Sequence, residues 1–194
     1  MTKDEETTGP ARRSRMAPAD RRALILQTAA AMFRDHGYAG ASIDAIAAAS
    51  GISGPAIYRY FAGKAELLLA LLEAAVAETV AAMNAVPDRP AQTADDLADI
   101  LAERALSEGA IIALLHGTAG TMEPEERLRL DNLRRDAVGR LTDALRALRP
   151  ELAASEAEAR IVAALALVGH IERFLATGAP AQSFQRILRS ILRA

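Results

Sequence analysis

SIDAIAAASGISGPAIYRYF, residues 42–61, decides how the rest of this 194-residue chain is read. Ser42 stands before a short apolar run and can accept from the backbone N–H groups that open a helix. Asp44 follows in the first turn, with Ile43, Ile46 and Ala47 as apolar positions. The run stops at Ser50-Gly51. Gly51 lets the chain reverse without a Cβ clash, Ile52 plugs the corner, and Ser53 caps a further short helix. In that helix Ile57 and Phe61 lie one turn apart and face inward. The face left outward is Gly54, Ala56, Tyr58, Arg59 and Tyr60.

Upstream, the spacing predicts a helix from about Pro18 to His36, with Ile25, Ala29, Met32 and Phe33 on one stripe and Gly37 as its left-handed cap. Three short helices with a Gly-containing turn between the second and third describe a helix-turn-helix unit. Residues 21–68, RRALILQTAAAMFRDHGYAGASIDAIAAASGISGPAIYRYFAGKAELL, resemble the N-terminal DNA-binding domain of the TetR family of bacterial transcription regulators. The resemblance is carried by the Ala-x-x-x-Phe run ending in Gly37-Tyr38, by Ser42, Ile46-Ala47, Gly51-Ile52-Ser53 and the Ile57-Tyr58-x-x-Phe61 block, and by Lys64 with Leu67-Leu68. It covers about a quarter of the chain; the 126 residues that follow it match only in length and helical character.

Charge follows the same division. The net charge is −2, yet residues 11–64 carry eight bases against three acids, while residues 65–194 carry 14 bases against 19 acids. One end favours a polyanion and the other does not. Phe33, Tyr38, Tyr58, Tyr60 and Phe61 fall in the basic segment, leaving Phe174 and Phe184 beyond it. In a major groove Arg59 can read guanine bidentately and Ala56 can meet a thymine methyl. Tyr58 and Tyr60 suit phosphates, where the resemblance also places Ser42 and Lys64. Gly54 and Ser53 complete the expected DNA-binding set, although Gly54, at a position that often reads bases in the family, has no side chain to do so. Residues 1–17 read as a flexible arm whose Arg12, Arg13 and Arg15 are either a solubilising tail or a minor-groove or phosphate arm.

From residue 65 to 194 every signal is helical, which predicts an all-α chain in three parts: arm 1–17, head 18–64, and a body 65–194 for effector binding and dimerisation. Helices are expected over about 65–85, 93–108, 124–149 and 155–177, and a last one follows. Pro87 and Pro90 break the first pair; Gly109, Gly117 and Gly120 break the apolar stretch 109–122 into a short helix and a turn. Segment 161–171 is apolar nearly all round and needs cover on two sides. Ile161, Leu165 and Val168, with Phe184, Ile187, Leu188 and Ile191 of the last helix, are the expected faces of an isologous four-helix dimer, which the resemblance also implies. Ala163, Ala166 and Gly169 are small enough to let a partner approach.

An effector site in the body is expected around Met83, His116, Met122 and Phe174, with aliphatic walls. His116 and His170 also read simply as hydrogen-bonded interior residues, and the methionines as core. The three scattered histidines, the absence of cysteine, Gly-rich phosphate loop, His-Glu-x-x-His or Glu-x-x-His leave no constellation for catalysis, a metal or a cofactor. No apolar run is long enough to span a bilayer, and no signal segment opens the chain, so a cytoplasmic protein is expected. The sequence therefore points to a homodimeric regulator of palindromic double-stranded DNA, most simply a repressor released by a small molecule. A ligand-independent DNA-binding protein and a helical carrier or enzyme are the other readings.

Overall fold

The computed structural model describes residues 16–84, 93–117 and 122–194, with backbone alone at 84 and 110–117. Among the described residues the regular elements are all α-helical. The expected break at Pro87–Pro90, the arm arginines 12, 13 and 15, and Thr118 and Thr121 lie outside them.

Helix α1 spans Pro18–Gly40, α2 Ile43–Ala49 and α3 Gly54–Ile57. Ile25, Ala29 and Phe33 form the buried stripe of α1. Gly37 adopts the positive φ that favours glycine (68°), but its ψ of 172° makes a kink with one further turn behind it rather than a left-handed cap. Gly51 also takes a positive φ of 69°, and Ile52 N–H returns to the Ala47 carbonyl, which closes the corner. Ser42 Oγ accepts from Ala45 N–H at 3.1 Å, as its spacing predicts. Ser53 stands at the N-cap position of α3 without a side-chain capping bond. The reason is local: Pro55 supplies no N–H at the second position, and the third, Ala56 N–H, already donates to the Ser53 carbonyl.

Helix α4 spans Lys64–Asn84, α5 Ala94–Gly117, α6 Pro124–Leu148, α7 Ala154–Val168, α8 Ile171–Leu175 and α9 Ala181–Arg193. Two boundaries differ from expectation. Helix α5 runs unbroken through Gly109, because this glycine serves packing: a Cβ there would lie 2.2 Å from Ile171 Cγ2. The single helix expected over 155–177 is two, since the backbone turns out of helical geometry at buried Gly169 (ψ −11°) and His170 (φ −114°, ψ 19°). His170 is exposed rather than interior, with Nδ1 donating to the Ala166 carbonyl.

Two apolar clusters result. The first joins Ile25, Phe33, Ile46, Ile57 and Phe61 to Leu67, Leu68 and Leu72 of α4, and to Met122 and Leu130 from the start of α6. The second joins α5, the far half of α6, α7, α8 and α9. Ile161, Val168, Phe184 and Leu188, expected at a dimer interface, are fully buried inside this second cluster. Leu165 and Ile191 are partly buried against it, which leaves Ile187, 42% exposed, as the outward member of that set. The period was read correctly and the face wrongly: α5 covers the larger side chains, while Ala163 and Ala166 face out. Asp99 of α5 locks α9 in place, accepting from Arg189 Nε at 2.8 Å, Arg189 Nη2 at 2.6 Å and Gln185 Nε2 at 2.8 Å. These donors, Arg189 first, hold its carboxyl below the ordinary carboxylate range.

Candidate nucleic-acid interface and apolar cavity

The buried pair Ile57 and Phe61 anchors α3 and the turn after it in the first cluster, beside α2, so the other side of a very short helix is displayed by default. Beyond Ile57 the chain tightens into i→i+3 bonds, Arg59 N–H to the Ala56 carbonyl and Tyr60 N–H to that of Ile57. Tyr58 is 56% exposed and Arg59 is exposed beside it. Tyr60 is half-buried against the first cluster, so its ring is partly structural. Gly54 and Ala56 are half-buried, and Ser53 and Ser42 are exposed. Ser42 Oγ uses a lone pair on Ala45 N–H and retains its own proton to donate.

Lys64 is placed differently from the phosphate contact the resemblance implies. Its Nζ donates to the Tyr38 carbonyl at 2.7 Å and the Ala41 carbonyl at 3.1 Å, and lies 4.3 Å from the Tyr38 ring centroid. Two of its three donors thus tie the start of α4 to the link between α1 and α2. Burial, and then the Glu126 carboxylate, raise the Tyr38 phenol, so a neutral ring faces the ammonium. Arg22 stacks over the Phe61 ring at 4.7 Å, and Arg21 Nη1 reaches the Ser50 carbonyl at 3.4 Å. Lys64, Arg22 and Arg21 thus serve the head's joints, while Arg59 stands on its open face.

One residue absent from the sequence-derived set belongs to this face. Asp44 in the first turn of α2 is exposed, and its Oδ1 lies 2.5 Å from where a Cβ on Gly54 would stand. Its spacing from Ser42 marks it as an ordinary helix-opening acid; only the turn between α2 and α3 shows that it meets the start of α3.

In the body a cavity of about 250 Å³ lies among α4, α5, α6 and α7. Its wall is almost wholly aliphatic, with Leu72, Val76 and Val80 from α4, Val138 and Leu141 from α6, and Val162 and Leu165 from α7; Thr79, Arg104 and Arg134 supply the polar groups. Arg104 Nη2 pairs with Glu78 at 2.7 Å and Glu108 at 2.8 Å, while its Nε is buried without a partner. Of the four residues expected to bind an effector, Met83, Met122 and Phe174 do not line this space. Met83 packs on the second cluster, Met122 on the first, and Phe174 rests edge-on against Phe184 at 5.3 Å between centroids. His116 falls among the residues whose side chains are not described. Apolar spacing identifies interior residues but does not say which of them border empty space, which is why Met83, Met122 and Phe174 lie away from this cavity. No group of three or more His, Asp or Glu is arranged to hold a metal among the described residues, and no described helix is long and apolar enough to cross a membrane.

Residues 25–71 match the model of the family described as bacterial regulatory proteins, tetR family. The chain is 39% identical over 71 residues to the HTH-type transcriptional activator FasR of Mycolicibacterium smegmatis, which covers 36% of this chain and 32% of that protein. It is 37% identical over 82 residues to the HTH-type transcriptional regulator EthR of Mycobacterium tuberculosis, covering 42% and 38%. The aligned part thus spans about a third of these relatives. Over the whole fold, the fatty acid degradation regulator FadR from Bacillus halodurans superimposes with a TM-score of 0.69 at 17% identity, covering 92% of this chain and 96% of that one. A TetR-family regulator from Rhodococcus sp. gives 0.70 at 19%, covering 90% and 97%. These named proteins are regulators of transcription, not enzymes, and the structural matches extend the likeness of fold to the body.

Proposed function

We propose, from the premise that residues 25–71 are a domain of the tetR family of bacterial regulatory proteins, that this chain is a cytoplasmic homodimeric repressor. In this reading it grips a palindromic operator through two copies of α3 and is released by a small apolar molecule in the body. The observation that carries the reading is the open face at α3, with Tyr58 at its C-cap and Arg59 in the turn that follows both exposed, while Ile57 seals the opposite side. Head 18–64 reads DNA and body 65–194 senses and dimerises, although the first turns of α4 are packed into the head.

That overlap supplies the coupling. Leu72 belongs to the head's buried cluster and also to the cavity wall. A molecule filling the cavity presses on α4 and α6, which both reach into the head, and so alters the separation of the two recognition helices. Two half-sites about one helical turn or a multiple apart tolerate little change of that separation. Coupling of about 1–3 kcal/mol, typical of such systems, changes occupancy roughly 5- to 150-fold. The partner sits on the outward face of α7 and α9, where Ala163, Ala166 and Ile187 are exposed. Val162 and Ala166 also line the cavity, so pairing of two copies narrows its mouth.

Gel shift with the DNA upstream of its own gene tests this reading. Arg59→Ala removes sequence preference and leaves the dimer intact by light scattering; Ile187→Arg yields monomers that bind weakly. Binding without discrimination between that DNA and a scrambled duplex contradicts specific recognition. Enhanced expression of a reporter when the chain is present contradicts repression, and activation is the outcome with precedent in the name of FasR.

A further inference from the structure

We propose that Asp44, a residue of α2, reads cytosine on behalf of the empty position Gly54 at the start of α3. The inference rests on the DNA-reading function above and sharpens it.

Three observations meet at this point. The Asp44 carboxylate occupies the volume into which a side chain at 54 would project, with Oδ1 2.5 Å and Cγ 3.6 Å from that Cβ position. Ser42 already provides the side-chain cap of α2 through Ala45 N–H, so Asp44 is not needed for it, and its Oδ1 leans to α3. The carboxylate is exposed and has no hydrogen bond or ion pair with the described residues. An acid held bare at a polyanion's surface weakens binding through repulsion unless it finds a donor there. The first residues of a recognition helix are the ones that approach base edges, and Asp44 stands at that end of α3.

The chemistry selects the base. An ionised carboxylate only accepts. In the major groove cytosine offers the N4 amino donor, adenine pairs its N6 donor with an acceptor at N7, and guanine shows two acceptors. Cytosine is the base whose own major-groove edge offers a donor and no acceptor. Gly54 is then a requirement of this device: with any larger residue the carboxylate must swing away. Asp44 and Arg59 divide the reading between them, acceptor at one end of α3 and donor at the other.

Selection from a random duplex library by the full-length chain, followed by sequencing, tests this. Wild type enriches a two-fold symmetric motif containing one cytosine per half-site that Asp44→Ala no longer selects, a loss of about tenfold in discrimination at that position. Asp44→Ala also binds random DNA several-fold more tightly, since a like charge has gone. Asp44→Asn moves the preference toward adenine, whose N6 and N7 suit a carboxamide. Gly54→Ala, which displaces the carboxylate without removing it, reproduces the loss at the same base pair. An Asp44→Ala motif identical to that of wild type overturns the proposal while leaving the regulator reading in place. Failure of wild type to enrich any motif overturns both.

Discussion

The head and the body solve opposite problems with the same secondary structure. In the head, helices of seven and four residues are too short to hold themselves, and each is fixed by one or two fully buried side chains so that the remaining face stays open. In the body, helices of up to 25 residues enclose space, and the feature of interest is a volume rather than a face. A displayed surface is written in the residues that form it. A cavity is written in the mismatch between residues far apart in sequence. That difference predicts where substitutions act.

The largest effect belongs to the head's anchors. Phe61→Ala is expected to cost about 3–5 kcal/mol by thermal or denaturant unfolding, because the ring is fully buried. DNA binding goes with it. Phe184→Ala in the second cluster costs a similar amount but unsettles α9 rather than α3. If the two variants impair DNA binding equally at temperatures where both stay folded, the division between head and body is wrong.

Next comes the close contact between α5 and α8. Gly109→Ala places a methyl on Ile171, a buried β-branched residue that cannot swing aside, and is expected to cost about 1–3 kcal/mol in melting experiments. An unchanged or raised melting temperature sinks this account of why α5 continues through a glycine.

A smaller effect is set by pH. The Asp99 carboxyl is lowered in the folded chain, so its contribution is present above the ordinary carboxylate value of about 3.9 and is lost as pH falls through the lowered value. Asp99→Asn should cost on the order of 1 kcal/mol at pH 7, since Arg189 is partly exposed and screened, and progressively less as pH falls through the lowered value. Acid unfolding curves of the two proteins that run parallel throughout contradict this role for the α5–α9 lock.

The smallest effect has the opposite sign. Gly139 lies in α6 with nothing within 4 Å of a Cβ position, so Gly139→Ala should stabilise by roughly 0.5–1 kcal/mol. Two helical glycines, one a packing device and one open, thus give opposite answers to the same substitution.

The same contrast explains what the sequence disclosed. Ser42, Gly51, Ile57 and Phe61 were legible because a cap, a reversal and an inward stripe are local requirements that allow few residue types. Helix identities in the body were legible from periodicity, including α6 from Pro124 to its stop before Pro150. Gly109 and Gly169 were not, because a glycine that lets Ile171 approach and one that ends α7 look alike until the partner helix is in view. Met83, Met122 and Phe174 lie off the cavity, and four of the seven expected interface residues are buried within the chain, for that same reason. Asp44 escaped notice because its neighbour in space is ten residues away across a turn.

Methylation interference on the selected duplex tests the central claim most directly, that α3 is displayed in duplicate to read the major groove. Methylation of guanine N7 at one position in each half-site should block wild-type binding and make no difference to Arg59→Ala. Interference at a single half-site, or an identical pattern for the two proteins, contradicts the account.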